Sequence, residues 1–316
     1  MTWEVTLMEW LQANIPLPLI GVISQLSAFG EEFMLVAVMG FVYWCYDKEF
    51  GRKLGLLVCC SIIFNPMIKN IFFRLRPYME HSSIKCLRPV EPNADLMDID
   101  AQGYSFPSGH STNAGTAYPG LVVFGKSNSK IRWGIAIAIM LVVGFSRVVV
   151  GCHYPTDVMC GWALGLILVF IVSFLYKKIK NRNVIFAIIA AVGVIGMFYC
   201  KTSDYFASYG MLIGLWLSIP FEKKFVNFEP TRNLISIALR LALGATVFFA
   251  LDEILKIPFS REFLSSGTFA SHLLRSVRYM TAIFVSLGVY PMLFKLKLFS
   301  LESSESDEEG VGNGVN

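Results

Sequence analysis

The sequence predicts an all-α polytopic membrane protein. Of its 316 residues 55% are hydrophobic, and the mean hydropathy is +0.57. Charged residues make up 16% of the chain, against about 25% in soluble domains. Apolar runs recur between short basic loops, which is typical of helices that cross a bilayer. The net charge of +4 is concentrated in those loops, so it indicates membrane topology rather than nucleic-acid binding.

Two short segments precede the first predicted span. Residues 3–13 predict an interfacial helix, and the apolar run at 17–28 is too short to span, which favours an interfacial or re-entrant segment. Nine spans are predicted, at about 30–45, 54–73, 108–126, 131–150, 156–177, 184–199, 207–221, 233–251 and 273–294. The connection at 74–107 is long and rich in Pro and Asp, which is typical of a functional loop.

Basic residues mark every second loop between the predicted spans. These loops contain Lys48, Arg52 and Lys53; Lys126, Lys130 and Arg132; Lys177, Lys178, Lys180 and Arg182; and Lys223, Lys224 and Arg232. The positive-inside rule makes this side cytoplasmic. Loops 74–107 and 147–155 and the N-terminus then lie outside, in the periplasm, cell exterior or an organelle lumen. The C-terminus lies inside.

The first polar cluster on the outer side is KNIFFRLRP, residues 69–77. Lys69 and Arg76 are two helical turns apart, so we expect them to share one helix face and converge on one anion, roughly 10 Å apart along the axis. Pro77 predicts that the helix ends at Arg76. The alternative is a basic helix end that snorkels to the membrane surface.

The second cluster is SFPSGHS, residues 105–111. Ser108 is a predicted N-cap, and the first-turn N–H groups of the following helix form an anion site. Gly109 lets the backbone approach a ligand closely, and His110 stands beside it. The alternative is a helix cap with an incidental histidine.

The third cluster is SRVVVGCHYPTD, residues 146–157. Arg147 ends one predicted span, while His153 and Asp157 flank the start of the next. A carboxylate four residues from a histidine can accept its N–H and stabilise the imidazolium. The alternative is a loop salt bridge.

Taken together, the clusters fit a bound phosphate, because Arg offers planar contacts and Lys a point charge. One histidine can attack phosphorus while the other protonates the leaving oxygen. The motifs contain no Asp/Glu/His metal site, so we expect neither a metal nor another cofactor.

The spacings K-x6-RP, PSGH and SR-x5-H-x3-D occur in this order without departure. They resemble the three signatures of the type 2 phosphatidic acid phosphatase superfamily, which includes glucose-6-phosphatase and the vanadium haloperoxidases. The resemblance implies that His153 becomes a phosphohistidine, that Asp157 orients it, and that His110 is the general acid and later the base. The implied phosphoryl-binding residues are Lys69, Arg76, Ser108, Gly109 and Arg147.

The resemblance also implies a six-helix phosphatase core followed by extra transmembrane helices. We predict an N-terminal interfacial or re-entrant segment at 1–29, the core at 30–180, additional transmembrane helices at 181–297 and a disordered acidic tail at 298–316. The layout of the extension is similar to glucose-6-phosphatase and to the sphingoid-base phosphate phosphatases.

We expect a membrane phosphatase whose partners are membrane lipids and a lipid phosphate or diphosphate substrate, because the motif loops adjoin the bilayer surface. A phosphotransferase of the same fold would keep the same histidines. A transporter is the alternative of another class, although no inverted repeat supports it.

Several other residues receive a structural interpretation. His81 is expected in solvent, His272 at the interface, and Arg240 snorkelling to the cytoplasmic surface rather than facing the bundle interior. Cysteines in apolar runs are expected to pack, and one disulfide on the outer side stays open among Cys86, Cys152 and Cys200.

Overall fold

The computed structural model describes residues 2–126 and 129–296, and every regular element in these ranges is helical. The helices are α1 (Trp3–Asn14), α2 (Leu17–Leu26), α3 (Glu32–Phe41), α4 (Lys48–Phe72), α5 (Pro77–Glu80), α6 (Ile99–Gln102), α7 (Gly109–Phe124), α8 (Lys130–Val149), α9 (Pro155–Lys178), α10 (Arg182–Val194), α11 (Ser203–Phe221), α12 (Leu234–Ile254), α13 (Arg261–Leu264) and α14 (Phe269–Phe284). This confirms the all-α prediction. The predicted tail at 298–316 lies outside the described residues.

Each predicted span coincides with a helix, but fewer of these helices meet the requirements for crossing a membrane. Five described stretches are long and apolar enough, namely Lys48–Glu80, Lys130–Val149, Pro155–Lys178, Leu234–Ile254 and Phe269–Lys295. A sixth would be Trp3–Asn14 with Leu17–Gly30, whose axes bend by 117°. The apolar helices Met34–Tyr46 and Arg182–Phe198 are shorter, so the prediction of nine full spans exceeds what length and composition support.

Helix α7 lies at the centre of the motif-bearing helices, packed against α4, α8 and α9. Glycines in α9 set its close approach to α7, because a Cβ on Gly165 would lie 2.6 Å from the Gly115 carbonyl carbon. A Cβ on Gly161 would lie 2.8 Å from the Ser108 oxygen. The pair forms a small-xxx-small motif, which lets two membrane helices touch along their backbones.

The C-terminal helices pack on this core through α11, which contacts both α4 and α14. A second small-xxx-small pair joins α11 to α14, since a Cβ on Gly210 would lie 2.0 Å from the Ser276 oxygen. One on Gly214 would lie 2.5 Å from the Met280 oxygen. Buried apolar side chains of α4, α11 and α14 belong to one continuous cluster.

At the N-terminal end of α4, an ion-pair cluster joins the motif-bearing core to the C-terminal helices. The fully buried Glu222 carboxylate lies 3.1 Å from Lys48 Nζ and 2.7 Å from Arg52 Nη2. Glu222 also accepts the backbone N–H of Phe228 at 3.2 Å. The start of α4 and the end of α11 are therefore held together.

The expectation that Arg240 snorkels to the surface is wrong. Its side chain is 4% exposed and donates to the carbonyl oxygens of Trp44 and Glu229, each at 2.8 Å. The guanidinium also lies over the Phe294 ring. Backbone carbonyls can satisfy a guanidinium inside a bundle. Every residue has such a carbonyl, so the sequence around Arg240 does not reveal which ones it contacts.

Candidate active site

A cavity of about 890 Å³ joins the three sequence motifs. Its wall includes Lys69 and Arg76 from the first motif, Gly109 and His110 from the second, and His153 from the third. The end of α4, the start of α7 and the loop before α9 position these residues. The predicted convergence of the motifs at one end of the bundle is thus present in the fold.

Lys69 and Arg76 reach the cavity differently from the sequence prediction. Helix α4 ends at Phe72, Phe73 adopts a left-handed conformation with φ 49°, and the backbone at Arg76 is extended. The two residues therefore do not share one helix face, and the predicted end at Arg76 is wrong. Pro77 disfavours helical backbone only at the residue before it. The helix has already ended at Phe72.

Backbone carbonyls fix the Arg76 guanidinium in the cavity wall. Its Nε donates to the oxygens of Gln102 and Gly103 at 2.9 and 3.0 Å. Its Nη1 donates to the Cys152 oxygen at 3.1 Å. Arg76 is 2% exposed, so the long outer loop and the third motif both hold it in place.

The start of α7 matches the predicted helix mouth. The Ser108 hydroxyl is the N-cap and accepts the Ser111 N–H at 3.4 Å, while Asn65 of α4 donates to the Pro107 oxygen at 3.2 Å. Ser108 is fully buried and does not line the cavity, whereas Gly109 and His110 do. A Cβ on Gly109 would meet only Asn65 Oδ1, at 3.6 Å. The protein itself has room for a side chain there, and glycine leaves the backbone open to the cavity.

The imidazole of His153 is 2% exposed and lies between a cation and a carboxylate. Its Nε2 is 3.4 Å from Arg76 Nη1, and its Nδ1 is 3.7 Å from Asp157 Oδ2. Burial, followed by the charges of Arg76, Lys69 and Arg147, lowers the pKa of His153 well below its usual value of 6.5. A neutral imidazole with Nε2 toward Arg76 is a competent nucleophile.

Ser105 stands between the histidine and the aspartate, a role the sequence reasoning missed. Its Oγ lies 3.4 Å from His153 Nδ1 and donates to Asp157 Oδ2 at 2.5 Å. The direct contact predicted between His153 and Asp157 is therefore longer than a hydrogen bond. The only sequence signal was its place at the start of SFPSGHS.

An ion-pair network behind Asp157 was also missed. Arg74 Nη1 lies 2.6 Å from Asp157 Oδ1, and its Nη2 lies 2.9 Å from Glu4 Oε2. Thr156 Oγ1 donates to Glu4 Oε1 at 2.6 Å. Arg74 was visible as the additional arginine of KNIFFRLRP, but nothing near Glu4 in the sequence indicated a link to the third motif.

Arg147 lies behind the cavity wall with 2% exposure. Its Nη1 donates to Ser27 Oγ at 3.3 Å, and its Nε has no acceptor within the described ranges. Its charge acts on the pKa of His153. Arg147 and Asp157 thus lie behind the cavity lining. The residues of the motifs that line the cavity include Lys69, Arg76, His110 and His153.

The other two histidines and the cysteines can also be compared with their predicted positions. His272, expected at the interface, lines the cavity and stacks on Phe206. His81 is partly exposed in the outer loop, as expected. All seven cysteines are unpaired, and residues 2–126 and 129–296 contain no His/Cys/Asp/Glu group arranged to hold a metal.

Comparison with known families agrees with the motifs. The model of the PAP2 superfamily matches residues 50–182. A relative, phosphatidylglycerophosphatase B of Bacillus subtilis, is 32% identical over 50% of this chain and 74% of its own length. The chain belongs to the PAP2 superfamily. The resemblance to type 2 phosphatidic acid phosphatases is therefore confirmed.

The second half of this PAP2 protein also matches a family model, the PAP2 superfamily phosphatase transmembrane extension, at residues 206–302. Undecaprenyl-diphosphatase of Sulfolobus acidocaldarius is 28% identical over 57% of the chain and 80% of its own length. Lipid A 1-phosphatase of Rhizobium etli is 36% identical over 38% of the chain and 47% of its own length. No solved structure matches.

Proposed function

We propose that this protein is an integral membrane phosphatase that hydrolyses a lipid phosphate or diphosphate through a phosphohistidine. The observation that carries the proposal is the single cavity lined by Lys69, Arg76, His110 and His153. The names of the relatives, a phosphatidylglycerophosphatase, undecaprenyl-diphosphatases and lipid A phosphatases, support a lipid substrate.

In the first step, Lys69, Arg76 and the open backbone at Gly109 bind the phosphoryl oxygens, with Arg147 and the Ser108 cap behind them. His153 Nε2 attacks phosphorus, a P–N bond forms and the P–O ester or anhydride bond breaks. His110 donates a proton to the leaving oxygen. The Asp157 carboxylate stabilises the positive charge that develops on the imidazole, and the cations stabilise the charge on phosphoryl oxygen.

In the second step, the now neutral His110 takes a proton from water, and the oxygen of that water attacks phosphorus. The P–N bond breaks, its electron pair returns to His153 Nε2, and inorganic phosphate leaves. Besides substrate and water, each step uses only groups of this chain, so we propose that the reaction needs no divalent metal.

We further propose that the reaction occurs on the extracytoplasmic side. The cavity lies at the C-terminal end of α4, and the basic residues Lys48 and Arg52 lie at the opposite end. The positive-inside rule then places Lys48 in the cytoplasm.

The first test is His153→Ala. We expect release of inorganic phosphate from lipid phosphates to fall to background, since no other residue of the site can replace the nucleophile. Rapid acid-free quenching of the wild type with ³²P-labelled substrate should yield an acid-labile phosphoprotein, which the variant lacks. Lys85→Gln, in the exposed outer loop, is the control.

Retained turnover in His153→Ala would refute the mechanism. Turnover that requires an added acceptor alcohol, with no phosphate released to water, would instead indicate the phosphotransferase. Activity that a chelator removes and magnesium restores would contradict the proposed metal independence.

A further inference from the structure

The cavity extends beyond the three motifs, and its far wall belongs to the C-terminal extension. Lys201 and Asp204 at the start of α11, with Ser271, His272 and Arg275 at the start of α14, face the same space as the two motif histidines. A volume of about 890 Å³ is in the range of pockets that enclose a whole small molecule. The substrate therefore has contacts available beyond its scissile phosphate.

Hydrogen bonds attach this far wall to the core. Asn70, one residue after Lys69, donates from Nδ2 to Thr202 Oγ1 at 3.0 Å. Its Oδ1 accepts the backbone N–H of Lys201, also at 3.0 Å. Asn70 is 3% exposed. The entry of α11 is thus fixed relative to the phosphate-binding end of α4.

The far wall carries both hydrogen-bond donors and hydrogen-bond acceptors. Arg275 forms no ion pair in the part of the chain that the structure describes, and its buried Nε has no acceptor there. Opposite charges come from Asp204 and from Glu32 at the start of α3. Both carboxylates line the cavity and are exposed.

This balance identifies the class of group that fits. Hydroxyls both donate and accept, so they can bind carboxylates and a guanidinium at the same time. A second phosphate would meet the acidic side chains Glu32 and Asp204. An apolar group would leave the buried Arg275 Nε without a hydrogen-bond partner.

We propose that the extension forms a subsite for a hydroxylated headgroup, a polyol or sugar joined directly to the scissile phosphate. Asp204 accepts hydrogen bonds from its hydroxyls and Arg275 donates to them. This subsite rests on the proposed phosphatase activity. The same chemistry occurs in a lipid-linked headgroup and in a soluble polyol phosphate.

The test compares Asp204→Asn and Arg275→Gln with the matched controls Glu262→Gln and Arg261→Gln, which lie in exposed helix α13. Substrates are phosphatidylglycerophosphate and soluble glycerol 3-phosphate, which carry hydroxyls next to the phosphate. Phosphatidate, farnesyl diphosphate and p-nitrophenyl phosphate, which do not, are the comparison. The readout is inorganic phosphate, or nitrophenol for the last substrate, as kcat and KM.

We expect kcat/KM for the hydroxylated substrates to fall roughly tenfold or more in the two cavity variants, mainly through KM. For the other substrates the change should stay within about twofold, as it should for the controls on all substrates. A higher wild-type kcat/KM for phosphatidylglycerophosphate than for glycerol 3-phosphate would identify the lipid as the source, and the reverse order the soluble phosphate.

Equal losses on every substrate would mean that Asp204 and Arg275 serve only the structure, and unchanged kinetics would mean that the substrate does not touch them. A selective loss on farnesyl diphosphate would make the subsite anionic. Each of these outcomes overturns the proposal while the phosphatase stands. A wild type that hydrolyses none of the substrates refutes the proposed function itself.

Discussion

At the scale of single residues, Arg74 links Asp157 to the N-terminal helix without facing the cavity. Its guanidinium contacts Asp157 Oδ1 on one side and Glu4 Oε2 on the other. Ser105 Oγ lies 3.4 Å from His153 Nδ1 and donates to Asp157 Oδ2, so we infer that Arg74 holds the imidazole in position through Asp157 and Ser105. Arg74 is a positioning residue rather than a catalytic one.

We predict that Arg74→Gln lowers kcat by roughly 100-fold, because a small misplacement of a reacting group has an effect of this size. KM should change little, since Lys69 and Arg76 still bind the phosphate. Arg74→Lys keeps the charge and should recover part of kcat. Steady-state kinetics of the three forms, with thermal stability measured in parallel, makes the comparison. A KM effect with unchanged kcat would assign Arg74 to substrate binding.

Site residues could be predicted from the sequence where they are neighbours in one short motif. Ser108, Gly109 and His110 occupy one turn, so their relation follows from the helix that they start. The contacts of Glu4 with Arg74 and Thr156 join positions far apart in the chain, and no spacing encodes them. Long-range ion pairs of this kind depend on packing, which a single sequence does not show.

At the scale of elements, α9 begins just after His153 and packs closely on α7, the helix that carries His110. Gly161 and Gly165 permit that approach, because any Cβ there would meet backbone atoms of α7. The helix bearing His110 and the helix that begins beside His153 are thereby held at close contact. Both helices were predictable from the sequence, whereas the role of the glycine spacing in their close packing becomes visible only in the fold.

We predict that Gly165→Val forces α9 away from α7, because backbone atoms of Gly115 and Thr112 cannot yield to the added carbons. Activity should fall at least tenfold, and the melting temperature in detergent should drop. Gly134→Val on α8, where a Cβ meets nothing within 4 Å, is the matched control. Equal behaviour of the two variants would show that the helix contact does not determine the site.

The break between Lys69 and Arg76 shows why the geometry of one element was predicted wrongly. Helical periodicity places the two residues on one face, but Phe73 turns into the left-handed region and ends α4 earlier. Arg76 then reaches the site through carbonyl oxygens of residues 102, 103 and 152. These acceptors belong to distant segments, so the local pattern could not indicate them.

At the scale of the whole molecule, the motif cavity and the basic residues lie at opposite ends of α4. Alternation of the charged loops predicted this separation from the sequence, because positive charge accumulates on one side of a membrane protein. The number of spans was harder to predict, since some helices in apolar stretches are short: α7 has 16 residues and α10 has 13.

We predict that a cysteine at Ser82 reacts with an impermeant thiol reagent added outside intact cells, or at the lumenal face for an organelle. A cysteine at Lys180 should stay unlabelled until the membrane is permeabilised. Both positions are exposed, and the background is an active variant whose seven cysteines are replaced. Labelling at Lys180 alone would reverse the topology and place catalysis in the cytoplasm.

The buried Glu222 carboxylate has a consequence for how the protein is made. Lys48 and Arg52 leave the ribosome about 170 residues before Glu222, their shared partner. All three sequence motifs are already synthesised by then, yet Lys48 and Arg52, at the start of the helix that carries Lys69, do not yet have this shared partner. The ion pairs between the start of α4 and Glu222 can therefore form only once the end of α11 has been synthesised.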